Sequence, residues 1–232
     1  FMAGKEASIL AFVDGKTAIP MVSAQDYKRA LDNDMGLNTG GMGAVSPAFY
    51  YDEKTAKAAK KDIIERTLAA LNAEGITYKG VLYFGLMITA DGPKLLEYNA
   101  RFGDPETEVV LPRLKTDLVD IMENVIDGRL SGQTVEWKAE KAVGVVMASG
   151  GYPEAYKNGY PIEGLDTEPL PDTVVFHAGT RKDGAEIVTA GGRVLVVTAL
   201  GETVEAAREK AYARAAQIRF QGAHYRKDIA KR

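Results

Sequence analysis

The sequence contains no cysteine, and its 232 residues include only one tryptophan and two histidines. The absence of cysteine excludes disulfides, thiolate zinc sites, iron–sulfur clusters and cysteine nucleophiles, and it fits a reducing cytoplasm. The histidines, His177 and His224, lie far apart in the chain and predict no ligand cluster. No G-x-S-x-G elbow occurs either, so nucleophilic hydrolases have little support.

Positive and negative charges nearly balance, because the chain has 29 Lys and Arg and 32 Asp and Glu, which gives a net charge of −3. So mild a balance directs the protein neither to nucleic acid nor to an anionic membrane. No apolar run approaches the roughly 18 residues needed to span a bilayer, and no signal peptide opens the chain. With 46% apolar residues, the composition predicts a globular α/β or α+β protein of the cytoplasm.

The first half of the chain predicts strands and helices in alternation. Residues 6–13 and 17–22 predict a hairpin around Asp14-Gly15, and residues 24–31 a short helical turn. Residues 52–72 and 118–126 have the apolar spacing of amphipathic helices. Residues 78–88 are too apolar to be half exposed, so we expect a central strand there, paired with an antiparallel strand at 94–99.

The polar stretch 128–140, which carries Trp137, is the predicted boundary between two domains. Beyond it, short strands at 142–148, 174–178, 186–188 and 193–199 precede a helix at 204–218. We therefore predict one domain at 1–130, which carries the metal and substrate site, and a small α+β domain at 131–232.

Glu97, Asn99 and Arg101 share one face of the predicted strand, since alternate residues of a strand point the same way. A carboxylate beside an amide oxygen is a pair of hard ligands of the kind that holds Mg²⁺ together with substrate phosphates and water. A guanidinium beyond them can fork onto the bridged phosphate. The alternative is an exposed strand face with an ordinary Glu–Arg ion pair.

A glycine-rich loop at 36–43 is the second candidate site. Gly40, Gly41 and Gly43 would allow close approach of a ligand and leave backbone N–H groups free for an anion. The spacing is that of neither a Walker loop nor a dinucleotide fingerprint, and the alternative is a flexible connector. Asp34, just before the loop, faces a polar ligand or caps the turn.

Asp104 and Glu106 follow the predicted metal strand by a few residues. Asp104 followed by Pro105 is typical of a helix start, with Asp as the N-cap and Pro at the first helical position. Their closeness to Arg101 in the chain also places both carboxylates at the rim of the same site. The two interpretations are compatible.

Three groups of motifs together resemble the phosphoribosylamine–glycine ligases (glycinamide ribonucleotide synthetases), a family of the ATP-grasp superfamily. They are residues 36–44 with Ser46-Pro47, residues 97–107 (EYNARFGDPET), and residues 177–180 with 191–195. The resemblance covers the whole chain. It implies an α+β fold with an ATP-grasp antiparallel sheet flanked by helices, followed by a small C-terminal α+β domain.

The resemblance implies an ATP-dependent carbon–nitrogen ligase of de novo purine (IMP) biosynthesis. In that reaction glycine attacks the γ-phosphate of ATP to give glycyl phosphate. The amine of 5-phosphoribosylamine then displaces phosphate and yields glycinamide ribonucleotide. We therefore expect small molecules as partners, namely ATP, glycine and 5-phosphoribosylamine, with no nucleic acid and no membrane.

The resemblance also implies roles for individual residues. Glu97 and Asn99 would be ligands of Mg²⁺ or Mn²⁺, and Arg101 would be the catalytic contact to the phosphate of ATP. Asp104 and Glu106 would hold the ammonium group of glycine. The remaining substrate contacts would be Asp34, Asn38, Thr39, Gly40, Gly41, Met42 and Gly43.

Two departures from the wider superfamily matter. Many ATP-grasp enzymes carry a further metal-binding Glu about a dozen residues before the pair, where this chain has Phe84-Gly85-Leu86. Glycinamide ribonucleotide synthetases are similar there, which favours them over biotin carboxylase-like relatives. The family also has an N-terminal domain and an ATP lid before the equivalent of Phe1, so we expect this chain to be the C-terminal portion of the enzyme and inactive alone.

Alternatives remain open at this point. Phe1 leads almost directly into a hairpin, which favours a cut within a larger protein, but Met2 as the true start with Phe1 as a cloning remnant is the other interpretation. The activity alternatives are another ATP-grasp carboxylate–amine ligase or carboxylase. A different class is a non-catalytic fragment that needs a partner chain.

Overall fold

The computed structural model describes residues 2–231, so Phe1, on which the expectation of a cut chain partly rests, lies outside the described residues. The strands are β1 Lys5–Asp14, β2 Ala18–Pro20, β3 Gln25–Asp26, β4 Arg29–Leu31, β5 Met35–Asn38, β6 Gly43–Ser46, β7 Lys79–Thr89, β8 Gly92–Asn99, β9 Lys141–Ala148, β10 Thr173–His177, β11 Thr180–Asp183, β12 Glu186–Thr189 and β13 Arg193–Gly201. The helices are α1 Glu53–Ala59, α2 Glu65–Ala73, α3 Thr107–Val110, α4 Leu118–Asp127 and α5 Val204–Ala215. Within the described range, no helix has the length and apolar character needed to cross a membrane.

The chain divides into two compact units. The first unit contains the described residues up to Gln25 together with Ser46–Lys138, and the second contains Asp26–Val45 together with the described residues from Ala139 onward. Residues 26–45 belong to the second unit because their backbone bonds to it: Val146 donates its N–H to the carbonyl of Met42 at 3.1 Å.

The first unit is built on an antiparallel sheet in the order β2-β1-β7-β8. The predicted hairpin of β1 and β2 and the central position of β7 are confirmed. One face of this sheet carries Ile9, Phe84 and Leu86, which are buried in a hydrophobic core with Ile63 and Ile64. The opposite face, the polar face, carries Ser8, Tyr83, Glu97 and Asn99 next to the buried apolar Leu10 and Phe12.

The predicted helices of the first unit are confirmed in position. Asp52 caps α1 by accepting the backbone N–H of Thr55, and a π-helical segment at Lys60–Ile64 joins α1 to α2. Asp117 caps α4 in the same way, and Gly128 ends it in the left-handed conformation, where glycine carries no steric penalty.

The helical turn expected at residues 24–31 is wrong, because those residues form the short strands β3 and β4. Arg29 of β4 pairs with Asn38 of β5 in a two-stranded ribbon. Residues 24–31 have no apolar periodicity long enough to favour a helix over this strand pairing.

The second unit contains a five-stranded sheet in the order β10-β13-β9-β6-β3 and the ribbon of β11 and β12. The strands expected beyond residue 140 are confirmed, while the predicted last helix ends at Ala215, three residues short of residue 218. The buried alanines Ala207, Ala211 and Ala215 form the inner face of α5.

Candidate functional site

Glu97 and Asn99 lie on the polar face of the first unit's sheet. Glu97 pairs across the ladder with Gly85 of β7, and Asn99 pairs with Tyr83, so the four residues share one face. A β-carbon on Gly85 would lie 2.9 Å from Cγ of Glu97. The side chain of Glu97 therefore crosses directly over Gly85, and any larger residue there would displace it.

Glu97 is exposed, and its carboxylate has no hydrogen-bond or ion-pair partner among residues 2–231. The exposed strand face of the alternative is therefore observed, whereas its Glu97–Arg101 ion pair is not. The amide oxygen of Asn99 receives one long contact, from Nη2 of Arg101 at 3.4 Å. No group of three or more His, Cys, Asp or Glu side chains in the described range could hold a metal by itself. Two oxygen ligands on one face fit a hard cation such as Mg²⁺, which keeps water and substrate oxygens in its remaining positions.

Arg101 does not lie on the strand face, because β8 ends at Asn99. The expectation that it projects as the fifth residue of a continuous strand is wrong in this respect. The Arg101 side chain nevertheless contacts Asn99, with Nη2 at 3.4 Å from the amide oxygen, and its Nη1 donates to the carbonyl of Phe102 at 2.8 Å. An exposed guanidinium is thus held beside the Asn99 amide oxygen.

The helix predicted to start at Asp104 and Pro105 begins instead at Thr107, with Glu106 in the N-cap position and no side-chain capping bond. Asp104 is therefore not the N-cap of this helix, and the side chain of Glu106 bonds to the sheet instead. Its Oε1 accepts hydrogen bonds from Ser8 at 2.8 Å and Tyr83 at 3.0 Å, and the residue is only 3% exposed. Asp104, by contrast, is exposed.

Ser8 and Tyr83 are residues that the sequence reasoning missed. Ser8 pairs with Gly85 across the ladder, so it lies on the same face as Glu97, and Tyr83 lies beside Asn99. The structure therefore brings Glu97, Asn99 and Glu106 to one face of one sheet. No local signal marked Ser8, because only the register of β1 against β7 gives it this position.

The glycine-rich loop belongs to the second unit, and four consecutive N–H groups in it, those of residues 39–42, are hydrogen-bonded. The N–H groups of Thr39 and Met42 donate to the carbonyls of Lys28 at 2.7 Å and Tyr27 at 2.8 Å. Gly40 donates to the Tyr152 hydroxyl at 3.0 Å, and Gly41 donates to Oγ1 of Thr39 at 2.9 Å. The expectation of free N–H groups for an anion is therefore wrong for Gly40 and Gly41.

Tyr152 and Arg193 hold the Gly40 peptide from both sides. The N–H of Gly40 donates to the Tyr152 hydroxyl, and the Gly40 carbonyl accepts a hydrogen bond from Nη1 of Arg193 at 2.7 Å. A β-carbon on Gly40 would lie 2.9 Å from Cζ of Arg193, so a side chain at Gly40 would displace the guanidinium from this position.

Asp34 is part of an ion cluster centred on Arg226, whose side chain is only 1% exposed. Arg226 donates to Asp34 at 3.0 Å and binds Asp228 with two parallel hydrogen bonds of 2.8 and 2.7 Å. Its guanidinium also lies over the ring of Tyr27, 5.3 Å from the centroid. This arrangement gives Asp34 a structural partner, while most of its own side chain stays exposed.

The Arg226 cluster predicts a specific acid sensitivity. Burial alone would raise the pKa of Asp228, but hydrogen bonds from Arg226 and from the Asn33 backbone lower that pKa to about 2. A carboxyl group whose pKa is depressed in the folded state contributes stability above its unfolded pKa of about 3.9, and this is lost as the pH falls towards 2. The free energy of unfolding of the wild type should therefore exceed that of Asp228→Asn by an amount that shrinks between about pH 4 and pH 2. A constant difference across that range would contradict this assignment.

Both histidines have structural partners. Nε2 of His224 lies 2.8 Å from the carbonyl of Ala30, and Nδ1 of His177 lies 3.0 Å from the Thr180 hydroxyl. Neither belongs to the polar face of the first unit, in agreement with the sequence, which indicated no histidine ligand cluster.

Comparison with known proteins matches two ranges of the chain to models of one family. Residues 1–107 match the family model "Phosphoribosylglycinamide synthetase, ATP-grasp (A) domain", and residues 142–232 match "Phosphoribosylglycinamide synthetase, C domain". The chain belongs to the phosphoribosylglycinamide synthetase family. The predicted family and the α+β ATP-grasp fold are thereby confirmed. Enzymes of this family use ATP and a divalent metal ion.

Individual relatives agree with this assignment. The phosphoribosylamine–glycine ligase of Caldanaerobacter subterraneus subsp. tengcongensis is 51% identical over 98% of the chain. The crystal structure of phosphoribosylamine–glycine ligase from Thermotoga maritima superposes with a TM-score of 0.88 at 38% identity and covers 99% of the chain and 56% of that protein. The chain spans about half the length of the relatives it matches, 54% of the Caldanaerobacter enzyme.

A more distant likeness shows the fold alone. The biotin carboxylase domain of a thermophilic 2-oxoglutarate carboxylase has a TM-score of 0.68 at 13% identity, over 97% of this chain and 48% of that one. Phosphoribosylglycinamide synthetases and biotin carboxylases therefore share the ATP-grasp architecture, whereas the sequence match is to the synthetases.

Proposed function

We propose that the complete protein ligates glycine to 5-phosphoribosylamine at the expense of ATP, giving glycinamide ribonucleotide, ADP and phosphate in de novo purine biosynthesis. The observation that carries the proposal is the face shared by Glu97 and Asn99, with an unpartnered carboxylate lying over Gly85. The names of the relatives supply the substrates. Because the chain spans about half of each relative, we propose that activity needs the remaining half as well and that this chain alone is inactive.

In this proposal Glu97 and Asn99 hold Mg²⁺ or Mn²⁺. When bound, the ion neutralises charge on the phosphates of ATP and orients them. Arg101, held beside the Asn99 amide, binds the phosphoryl group that is transferred. Its planar fork suits a phosphate, and its charge offsets the repulsion between two anionic substrates.

The substrate contacts follow from the same reasoning. Glu106, with the exposed Asp104 near it in the chain, would bind the ammonium group of glycine. Asp34, Asn38, Thr39, Gly40, Gly41, Met42 and Gly43 would contact phosphoribosylamine or glycine. The backbone N–H groups from Thr39 to Met42 are occupied, the carbonyls of Gly40 and Met42 already accept hydrogen bonds, and Met42 is 0% exposed. Those contacts would therefore come mainly from the side chains of Asp34, Asn38 and Thr39.

The chemistry needs no nucleophile from the chain. A carboxylate oxygen of glycine attacks the γ-phosphorus of ATP, and the bond to the β–γ bridging oxygen breaks to release ADP. The amine nitrogen of phosphoribosylamine then attacks the carbonyl carbon of glycyl phosphate, loses a proton, and phosphate leaves. The work left to the protein is positioning and charge neutralisation.

Release of ADP by the complete gene product tests this proposal, with glycine and phosphoribosylamine omitted in turn. ADP that forms only when both are present supports the ligase. ADP that forms without glycine, or only with bicarbonate or formate, would indicate a carboxylase or another ATP-grasp ligase. No ADP under any of these conditions would favour a non-catalytic role.

Arg101→Lys should lower kcat by roughly 100-fold, because an ammonium group is a point charge and cannot form the two parallel bonds of a guanidinium. The matched control is Arg66→Lys, at an exposed position of α2 that is outside the proposed site. Steady-state kinetics of the two variants provides the comparison. An unaltered kcat in Arg101→Lys would show that Arg101 does no more than bond to Phe102.

A further inference from the structure

Glu106 is a buried carboxylate whose partners are both neutral. The hydroxyls of Ser8 and Tyr83 donate to the same oxygen, Oε1, at 2.8 and 3.0 Å. Their own oxygens lie 2.9 Å apart, so the three groups form a compact triangle. Ser8 is 4% exposed, Tyr83 5% and Glu106 3%.

No Lys, Arg or His side chain contacts Glu106 in the part of the chain that the structure describes. A buried carboxylate without a cation is costly, even when hydroxyl groups hydrogen-bond to it. The environment therefore favours a bound cation. Glu106 also shares its sheet face with Glu97 and Asn99 through Ser8 and Tyr83, so that cation would lie on the face proposed for catalysis.

The second carboxylate oxygen, Oε2, lies close to the Gly103 backbone. A β-carbon on Gly103 would lie 2.5 Å from it, so a side chain at that position would displace the carboxylate. The two hydroxyls hold Oε1, and the orientation that results decides where a donor group must stand to reach Oε2.

We infer that Ser8 and Tyr83 are positioning residues, which orient the Glu106 carboxylate to receive the ammonium group of the amino-acid substrate. The inference rests on the proposed ligase function and adds two residues that act through Glu106. It concerns Glu106, to which both hydroxyls donate. Ser8 and Tyr83 would affect glycine binding and leave the binding of MgATP unaffected.

The test uses Tyr83→Phe and Ser8→Ala in the complete gene product, with Tyr78→Phe as the matched control. Tyr78 also donates its hydroxyl, to the carbonyl of Val81 at 2.8 Å, but it has no contact with Glu106. Loss of one hydrogen bond to a charged group should raise the KM for glycine roughly tenfold in Tyr83→Phe and in Ser8→Ala. The KM for MgATP should not change, and Tyr78→Phe should match the wild type in both.

A double-mutant cycle of Tyr83→Phe with Glu106→Gln distinguishes positioning from a general loss of structure. If Tyr83 acts through Glu106, Tyr83→Phe should add little to the glycine KM of Glu106→Gln. An unchanged glycine KM in both single variants, an equal rise in the KM for MgATP, or full additivity in the cycle would each overturn the inference.

If the wild type fails to require glycine for ADP release, the proposed function itself is wrong. If the wild type requires glycine but Tyr83→Phe and Ser8→Ala keep the wild-type KM for glycine, only the positioning roles are refuted.

Discussion

Glu97→Gln is expected to lower ligase activity of the complete gene product by at least roughly 100-fold, with little effect on stability. The amide keeps the size of the side chain, so packing over Gly85 is preserved. It removes the single negative charge of the proposed metal pair, and Asn99 supplies only a neutral oxygen. Because Glu97 has no partner among the described residues, its loss breaks no contact of the fold.

The matched control for that experiment is Glu53→Gln on α1. Glu53 is exposed and forms an i,i+4 ion pair with Lys57, a contact worth about 0–1 kcal/mol. Activity should therefore survive in Glu53→Gln. Normal kcat and an unchanged dependence on Mg²⁺ concentration in Glu97→Gln would refute the metal assignment.

Arg226→Met should destabilise the second unit by about 3 kcal/mol or more, because removing one partner of a buried ion pair leaves the other charge without compensation. Arg226 is almost fully buried, and it joins Asp228, Asp34 and the Arg29 carbonyl through hydrogen bonds of 2.7 to 3.1 Å. Methionine fills much of the volume, so the effect would come from charge and hydrogen bonding.

Hydrogen exchange of the β9 and β13 amides measures this effect, since it reports the opening of the second unit by itself. Arg181→Met is the control, because Arg181 forms an ion pair with Asp183 at 3.0 Å while half exposed. Such a surface pair contributes about 0–1 kcal/mol. Equal protection in Arg226→Met and Arg181→Met would show that the buried cluster does not stabilise the unit.

The sequence predicted the sheet of the first unit well because its signals are local. Asp14-Gly15 and Asp91-Gly92 mark hairpins, and the apolar run in β7 marks a strand covered on both faces. The shared face of Glu97 and Asn99 followed from strand periodicity alone. What periodicity could not show was where β8 stops, and Arg101 lies beyond that end.

Long-range contacts explain the failures. Asp104-Pro105 satisfies the local rules of a helix start, yet α3 begins at Thr107, and Glu106 bonds instead to the hydroxyls of Ser8, 98 residues away, and Tyr83. The glycine-rich loop has the composition of an anion-binding loop. Tyr152, 112 residues from Gly40, takes up one of its N–H groups. No local pattern contains such partners.

In the proposed reaction, transfer of the γ-phosphate activates the carboxylate of glycine at the face formed by Glu97 and Asn99. To test this step, glycine labelled with ¹⁸O in the carboxylate is supplied to the complete gene product with ATP and phosphoribosylamine. The phosphate released is then analysed by mass spectrometry. We expect one ¹⁸O atom per phosphate, because the attacking carboxylate oxygen leaves with phosphorus when the amide forms. Phosphate without the label, with both labelled oxygens still in unreacted glycine while ADP accumulates, would contradict the account.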